Sequence, residues 1–491
     1  MIPPVRRKTL VAVAAGALSV AGFGDLPLWP LSLLAFAALL RLWHTAETPR
    51  QAAGLGYAWG VGAFLVGVSW VYVSLHDFGM MPAPLAAVAT LLFCLYLALF
   101  PAAAGYLQAH LPGSPALRLM LYMPACWVLT EWLRGWLLTG FPWLAFGYST
   151  VDTPLAAYAP LVGVYGLSLL AAIAMGALVA FMQRGHERII GAAVFVALIG
   201  AGLTLRSVTW TRPVGAPISV SLLQGNIPQE LKFVPGRYEQ TLHTYARLAR
   251  TAPAQLIVLP ETAIPRFLDQ VDPAYLEQLA DIARVQSGDM LVPAPLRDAN
   301  GGYYNAAVSL GTAPMQRYAK VHLVPFGEFI PPGFGWVLNV LQIPLSDFSA
   351  GATTQRPLHV AGERVALNIC YEDAFGEEII RQLPEATLLV NVSNVAWFGD
   401  SLAPEQHLRI ARMRALETGR TMLRATNTGI TAIIEADGTV QRRLPPFTEG
   451  ALLGSAQGRE GATPYVRFGN WPALIWALGA LGLGVLHRRR A

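Results

Sequence analysis

The chain has 491 residues, of which 54% are hydrophobic and 13% charged, with a mean hydropathy of +0.44. So apolar a composition excludes an ordinary soluble enzyme, and much of the chain is expected to face lipid. A net charge of +5 does not point to nucleic acid, because the arginines lie largely beside the apolar segments rather than along one soluble face.

In chain order, apolar segments cover residues 9–23, 28–43, 55–73, 84–111, 119–136, 156–182, 189–205 and 471–486. A hydrocarbon core about 30 Å thick takes about 20 helical residues, so the first two are short. Asp77 is the only Asp, Glu, Lys or Arg between Leu55 and Leu111, and none occurs from Ala156 to Met182. Arg6, Arg7 and Lys8 precede the first segment. Arg41, Arg50, Arg118, Arg184 and Arg188 fall in alternate connections, and Arg488, Arg489 and Arg490 follow the last. Counting positive charge on the cytoplasmic side predicts eight spans with both termini inside. Arg206 and Arg212 break the pattern but lead into a large domain, whose translocation is less sensitive to charge. The basic start followed by an apolar stretch and Ser19-Val20-Ala21 also fits a cleavable signal; the span parity favours a retained signal anchor.

The expected organisation is a membrane domain of seven spans over residues 1–210, a water-soluble domain over 211–468 and an eighth span over 469–491. Within the membrane part, Glu131 and Arg134 stand at i and i+3 near the outer end of a span, where charges are costly in lipid. Two readings fit: an interfacial ion pair with Trp132, Trp136 and Trp143 as an aromatic belt, or a lipid headgroup site. In the soluble part, the strand-like runs "PISVSLLQ", "QLIVLP", "DMLVPAP", "NAAVSLG", "RVALNIC" and "ATLLVNVSN" alternate with helix-like stretches at 240–250, 273–285 and 404–419. That alternation predicts a layered α/β domain.

Cys94, Cys126 and Cys370 make no disulfide framework. Cys370 ends the strand-like run "RVALNIC", next to Tyr371 and Glu372, while "QLIVLPET" carries Glu261 and "QRYAKVHLVPFGEF" carries Lys320 and Glu328. A thiol, carboxylates and an ammonium together suggest acyl transfer: the thiolate attacks a carbonyl, a carboxylate moves the proton, and the ammonium stabilises the anion. Each residue also has a plainer reading. Cys370 fits a buried small hydrophobe, Glu261 a helix N-cap and Lys320 a solvated lysine. His322 and His407 lack partners at metal-ligand spacing, so no metal site is expected, and the segment from Gly351 to Gly362 lacks the phosphate-loop pattern.

The segments "LQGNIPQELKF", "VLPETAIP", "YAKVHLVPFGEFIP", "NICYED", "NVSNVAWFGDS", "ARMRALETGRTMLRATNTG" and "TEWLRGWLLTGFPWLAFGYS" together resemble the apolipoprotein N-acyltransferase family. The soluble part resembles the nitrilase superfamily, which implies a four-layer αββα sandwich. The resemblance further implies Glu261 as general base, Lys320 as stabiliser of the intermediate and Cys370 as nucleophile, with Glu328, Tyr371 and Glu372 supporting them. Phe233, Glu131, Arg134, Trp143 and Trp397 are the candidate substrate-binding residues. Phe233 stands where relatives commonly carry Trp, and Val395 where Asp is common. The implied reaction moves an acyl chain from a membrane phospholipid, expected to be phosphatidylethanolamine, through a Cys370 thioester to the α-amino group of a diacylglyceryl-modified apolipoprotein cysteine. No cofactor, no nucleic acid and a monomer are expected, in the bacterial inner membrane with the catalytic domain in the periplasm. The rival readings are a membrane-tethered nitrilase-like amidase, with water as acceptor, and a non-catalytic lipoprotein receptor.

Overall fold

A computed structural model describes residues 4–490 other than 233, 235, 299–300, 332, 334 and 336–346. The chain divides into two compact units. One comprises residues 1–72, 84–209 and 467–491, and the other residues 73–83 and 210–466.

The first unit is helical. Its main helices are α1 (Pro4–Ser19), α2 (Trp29–His44), α3 (Pro49–Gly67), α4 (Ala83–Ala109), α5 (Met123–Arg134), α6 (Ala159–Phe181) and α7 (His186–Leu205), with Trp471–Arg490 closing the chain. Helices α1 and α3 pack where their backbones approach closely. A side chain at Gly16 would strike the Trp59 carbonyl, and one at Gly62 the Val13 carbonyl. Small residues at such positions are how helices pack where burial of apolar surface drives nothing. Phe36, Trp59 and Trp127 meet edge-on between α2, α3 and α5, and Phe146 packs tilted against Phe36. Among the described residues, three helices are long and apolar enough to cross a membrane, or four if one bent pair counts as a single span. Helices α1 and α2 have 16 residues each and fall short of the length a hydrocarbon core requires.

The second unit is built on two six-stranded sheets. Its strands are β1 (Ile218–Gln224), β2 (Leu256–Val258), β3 (Asp289–Arg297), β4 (Tyr303–Gly311), β5 (Arg317–Ala319), β6 (Leu358–Val360), β7 (Glu363–Ile369), β8 (Leu388–Ser393), β9 (Met422–Thr426), β10 (Ala432–Ile434), β11 (Val440–Arg443) and β12 (Gly450–Ala456). One sheet runs β12-β1-β2-β3-β4-β5 and the other β11-β10-β9-β8-β7-β6. Strands β1, β2 and β3 are parallel neighbours, as are β7, β8 and β9.

Alternate residues of these strands face opposite ways, and both faces are apolar. Leu222, Leu256 and Val258 meet Leu367, Val390 and Val392 in the core between the sheets. The neighbours Leu223 and Ile257 point outward, under helices α8 (Tyr238–Thr251) and α9 (Pro273–Arg284). On the far side, Leu389 and Met422 pack under α10 (Ala403–Thr418). The order helix, sheet, sheet, helix is the αββα sandwich, and each of the six expected strands lies within it. Strands β5, β6, β9, β10, β11 and β12 were not expected; three of them have only three residues each, too few to show an alternation.

Candidate active site

Parallel strands send their carboxyl ends to one edge, where open α/β sheets usually carry their sites. Glu261 follows β2, Cys370 follows β7, Asn394 follows β8 and Lys320 follows β5. Four segments separate in sequence thus deliver a carboxylate, a thiol, an amide and an ammonium to one neighbourhood.

Glu261 is buried, and its carboxylate accepts hydrogen bonds from the Asn305 amide at 2.8 Å and the Asn394 main-chain N–H at 2.8 Å. It caps no helix: the chain around it is a turn, with Thr262 at φ +54°. The Lys320 ammonium lies 3.7 Å from Glu261 and 2.8 Å from Glu328. At 1% exposure Lys320 is not a solvated lysine. Burial disfavours its charge, but Glu328 and then Glu261 outweigh that and hold the ammonium well above the usual lysine range. Asn305 also donates to Glu328 at 2.7 Å, so one amide clamps both carboxylates on either side of the cation.

Cys370 adopts φ +55°, a conformation that costs a non-glycine residue of order 1–3 kcal/mol and is concentrated at functional sites. The turn is held from behind. Asn391 donates to the Cys370 carbonyl at 3.1 Å and is itself the acceptor of an Arg424 bond at 2.7 Å. Burial, and next the Glu261 charge, push the Cys370 thiol up to about 12, against the pull of Lys320. A thiol so weakly acidic requires a base beside it to react near neutrality.

Glu372 ties the two sheets together at the site. Its carboxylate accepts from the main-chain N–H groups of Ile369 at 2.6 Å, Val321 at 2.6 Å and His322 at 3.2 Å, and from the Tyr318 hydroxyl at 3.1 Å. One side chain therefore fixes the residue before Cys370 and the residue after Lys320. Burial raises Glu372 to about 7, with Lys320 and these donors pulling the other way. Tyr371 packs edge-on against Phe375 at 5.0 Å. His322 stacks on Phe375 at 3.6 Å, and His407 lies 2.7 Å from Asp373, so both histidines have partners other than a metal.

The substrate-binding candidates fall in both units. The Trp397 carbonyl accepts from the Ser74 hydroxyl at 2.7 Å, and its ring meets Phe78 edge-on at 5.8 Å. Val395 is buried against Gly429. Phe233 lies outside the described residues. In the helical unit, Arg134 and Glu131 are 3% and 4% exposed and 4.0 Å apart. Arg134 donates to the carbonyls of Phe141 at 2.8 Å and Trp143 at 2.6 Å, while Glu131 accepts from the Phe146 N–H at 2.7 Å. Both charges thus hold the loop after α5, beside a small pocket that they line with Trp59, Phe64 and Trp127. Trp136 is exposed, Trp132 partly so, and Trp143 is buried.

Sequence reasoning passed over Asn305, Asn391 and Asn394, and also Lys232, a buried lysine whose ammonium reaches the Glu261 main-chain carbonyl at 3.4 Å. Their only sequence signal is membership of the motif segments or of the strand-like runs.

A buried cysteine, two carboxylates and a lysine at the carboxyl edge of an αββα sandwich define a protein of the carbon-nitrogen hydrolase class, and residues 219–465 match that family's model. Residues 15–177 match the model of the apolipoprotein N-acyltransferase N-terminal domain. The apolipoprotein N-acyltransferase of Nitrosomonas europaea is 51% identical over 479 residues, covering 96% of this chain and 95% of that protein. That of Chromobacterium violaceum is 46% identical over 488 residues, covering 98% and 94%. The chain belongs to the apolipoprotein N-acyltransferase family. The solved NitFhit protein of C. elegans is 16% identical with a TM-score of 0.40, covering 52% of this chain and 63% of its own, a likeness too slight to carry weight.

Proposed function

We propose that Cys370 takes an acyl chain from a membrane phospholipid and passes it to the α-amino group of a diacylglyceryl-cysteine at the N-terminus of an apolipoprotein. In the first half-reaction the Sγ proton moves to Glu261 and the thiolate attacks the ester carbonyl. Lys320 faces the oxyanion that develops. Collapse breaks the ester C–O bond, and the departing lysophospholipid oxygen takes the proton from Glu261, leaving a thioester. In the second half the acceptor amine attacks that thioester, Glu261 takes an amine proton and returns it to the departing sulfur, and an amide is formed. Glu328 and Glu372 hold Lys320 and the Cys370 turn in place.

The observation that carries this reading is the approach of Lys320 to both Glu261 and Glu328 beside the strained Cys370 turn. Sequence identity across nearly the whole chain favours acyl transfer over hydrolysis by an amidase or simple lipoprotein binding. The proposed donor is phosphatidylethanolamine and the proposed state a monomer. The proposed setting is the bacterial inner membrane, with seven spans in residues 1–210, an eighth in 469–491 and the catalytic domain at 211–468 in the periplasm. Trp397 is the proposed substrate-facing aromatic, with Tyr371 beside the nucleophile.

Intact-protein mass spectrometry tests the reaction. Incubation with phospholipid alone should add one acyl mass at Cys370, and a diacylglyceryl-cysteine peptide should then remove it as an N-acyl peptide. Cys370→Ala should show neither event. Release of free fatty acid with no adduct would support the amidase instead.

A further inference from the structure

The proposed reaction gives no role to Lys232, a buried cation beside Glu261. Lys232 follows the short turn Gln229–Leu231 and is 2% exposed, and its ammonium makes one hydrogen bond among the described residues, to the Glu261 main-chain carbonyl at 3.4 Å. Among those residues no carboxylate comes within 4.0 Å of its ammonium. An ammonium has three protons to donate, and burying one without an ion-pair partner is costly. Its charge faces Glu261 and Cys370.

The charges around the thiol make sense of it. Lys320 is engaged by Glu328 through contacts of 2.8 and 2.9 Å to its two oxygens. Arg424, which also faces Cys370, is paired with Asp373 at 3.2 Å. One negative charge is left over. It starts on Glu261, passes to Sγ when the thiol proton moves to that carboxylate, and passes to the carbonyl oxygen when the thiolate attacks; the proton count of the pocket does not change. We propose that Lys232 is the counter-ion of this travelling charge, a positioning residue that supports the Cys370 thiolate without being part of the Glu-Lys-Cys set. The inference rests on the reading of Cys370 as nucleophile and Glu261 as its base. Burial draws the Lys232 ammonium down to about 8, so the support is present below that pH and fades above it.

The test is the pH profile of Cys370 alkylation by iodoacetamide in the full-length detergent-solubilised protein, read by peptide mass spectrometry so that Cys94 and Cys126 are counted apart. Lys232→Gln retains a donor for the Glu261 carbonyl but no charge, and Lys232→Arg retains the charge. With folding checked by thermal unfolding, Lys232→Gln should slow Cys370 alkylation about tenfold near pH 7, where Lys232 carries its charge, and the difference should close as the pH rises above about 8. Lys232→Arg should stay near wild type. A folded Lys232→Gln protein alkylated at the wild-type rate near pH 7 overturns the inference while leaving the catalytic reading intact. Absence of a phospholipid-derived acyl adduct on wild-type Cys370 overturns both.

Discussion

The Lys320 ammonium is seated on Glu328, 2.8 Å from one carboxylate oxygen and 2.9 Å from the other. Such charge-assisted bonds are short and directional, so Glu328 sets where the cation stands. In Glu328→Gln the ammonium should swing to Glu261, 3.7 Å away in the native site, and engage the base. Single-turnover acylation by phospholipid should slow by about 10²-fold, the scale seen when a stabilising group is lost. An unchanged rate would remove Glu328 from the machinery.

A second expectation concerns pH and stability. Burial raises Glu372 from the ordinary carboxyl value of 4.5 to about 7. Between those values the folded protein keeps a proton that the unfolded chain has released, so stability from this group is greatest below the window and declines as pH rises through it. The melting temperature of wild type minus that of Glu372→Gln, which cannot titrate, should therefore fall from pH 4.5 to 7. A rise across the same range would mean that the four donors aimed at the carboxylate dominate over burial.

Arg134 and Glu131 should behave as a structural pair. Arg134→Ala removes the donor to the Phe141 and Trp143 carbonyls and leaves Glu131 buried beside no cation, a loss of about 3–5 kcal/mol for a broken buried pair. Thermal unfolding in detergent should show that loss, and Glu131→Gln combined with Arg134→Gln should recover part of it. A stable Arg134→Ala protein that fails only with phospholipid donors, and not with a water-soluble thioester donor, would assign the pair to the headgroup instead.

The eight-span topology predicts that tags at Met1 and Ala491 are reached only from the cytoplasm, and a tag in residues 211–468 only from the periplasm. Labelling with a membrane-impermeant reagent on intact and permeabilised spheroplasts reads this directly. Opposite exposure of the two terminal tags would break the arrangement.

What sequence alone determined is whatever chemistry or periodicity writes locally. The runs ending at Gln224, Cys370 and Asn394 read as strands because each is a short apolar stretch, and the structure shows why: their two faces pack against different layers. Cys370, Glu261, Lys320, Glu328 and Glu372 stood out as candidates because each lies at the end of such a run or in a motif segment, and the family resemblance supplied their proposed roles. Only the tertiary structure decided how they meet. The bond from Asn394 to Glu261 spans 133 residues and that from Asn305 spans 44, and a hydrogen bond between strand ends leaves no periodic trace in either segment. Lys232 was hidden for the same reason, since a lysine in a loop looks solvated until the fold buries it against the Glu261 carbonyl. Arg134 and Trp143 show the limit in the helical unit: spacing along one helix revealed the pair with Glu131, but the carbonyls that Arg134 holds belong to a loop whose return only packing could define.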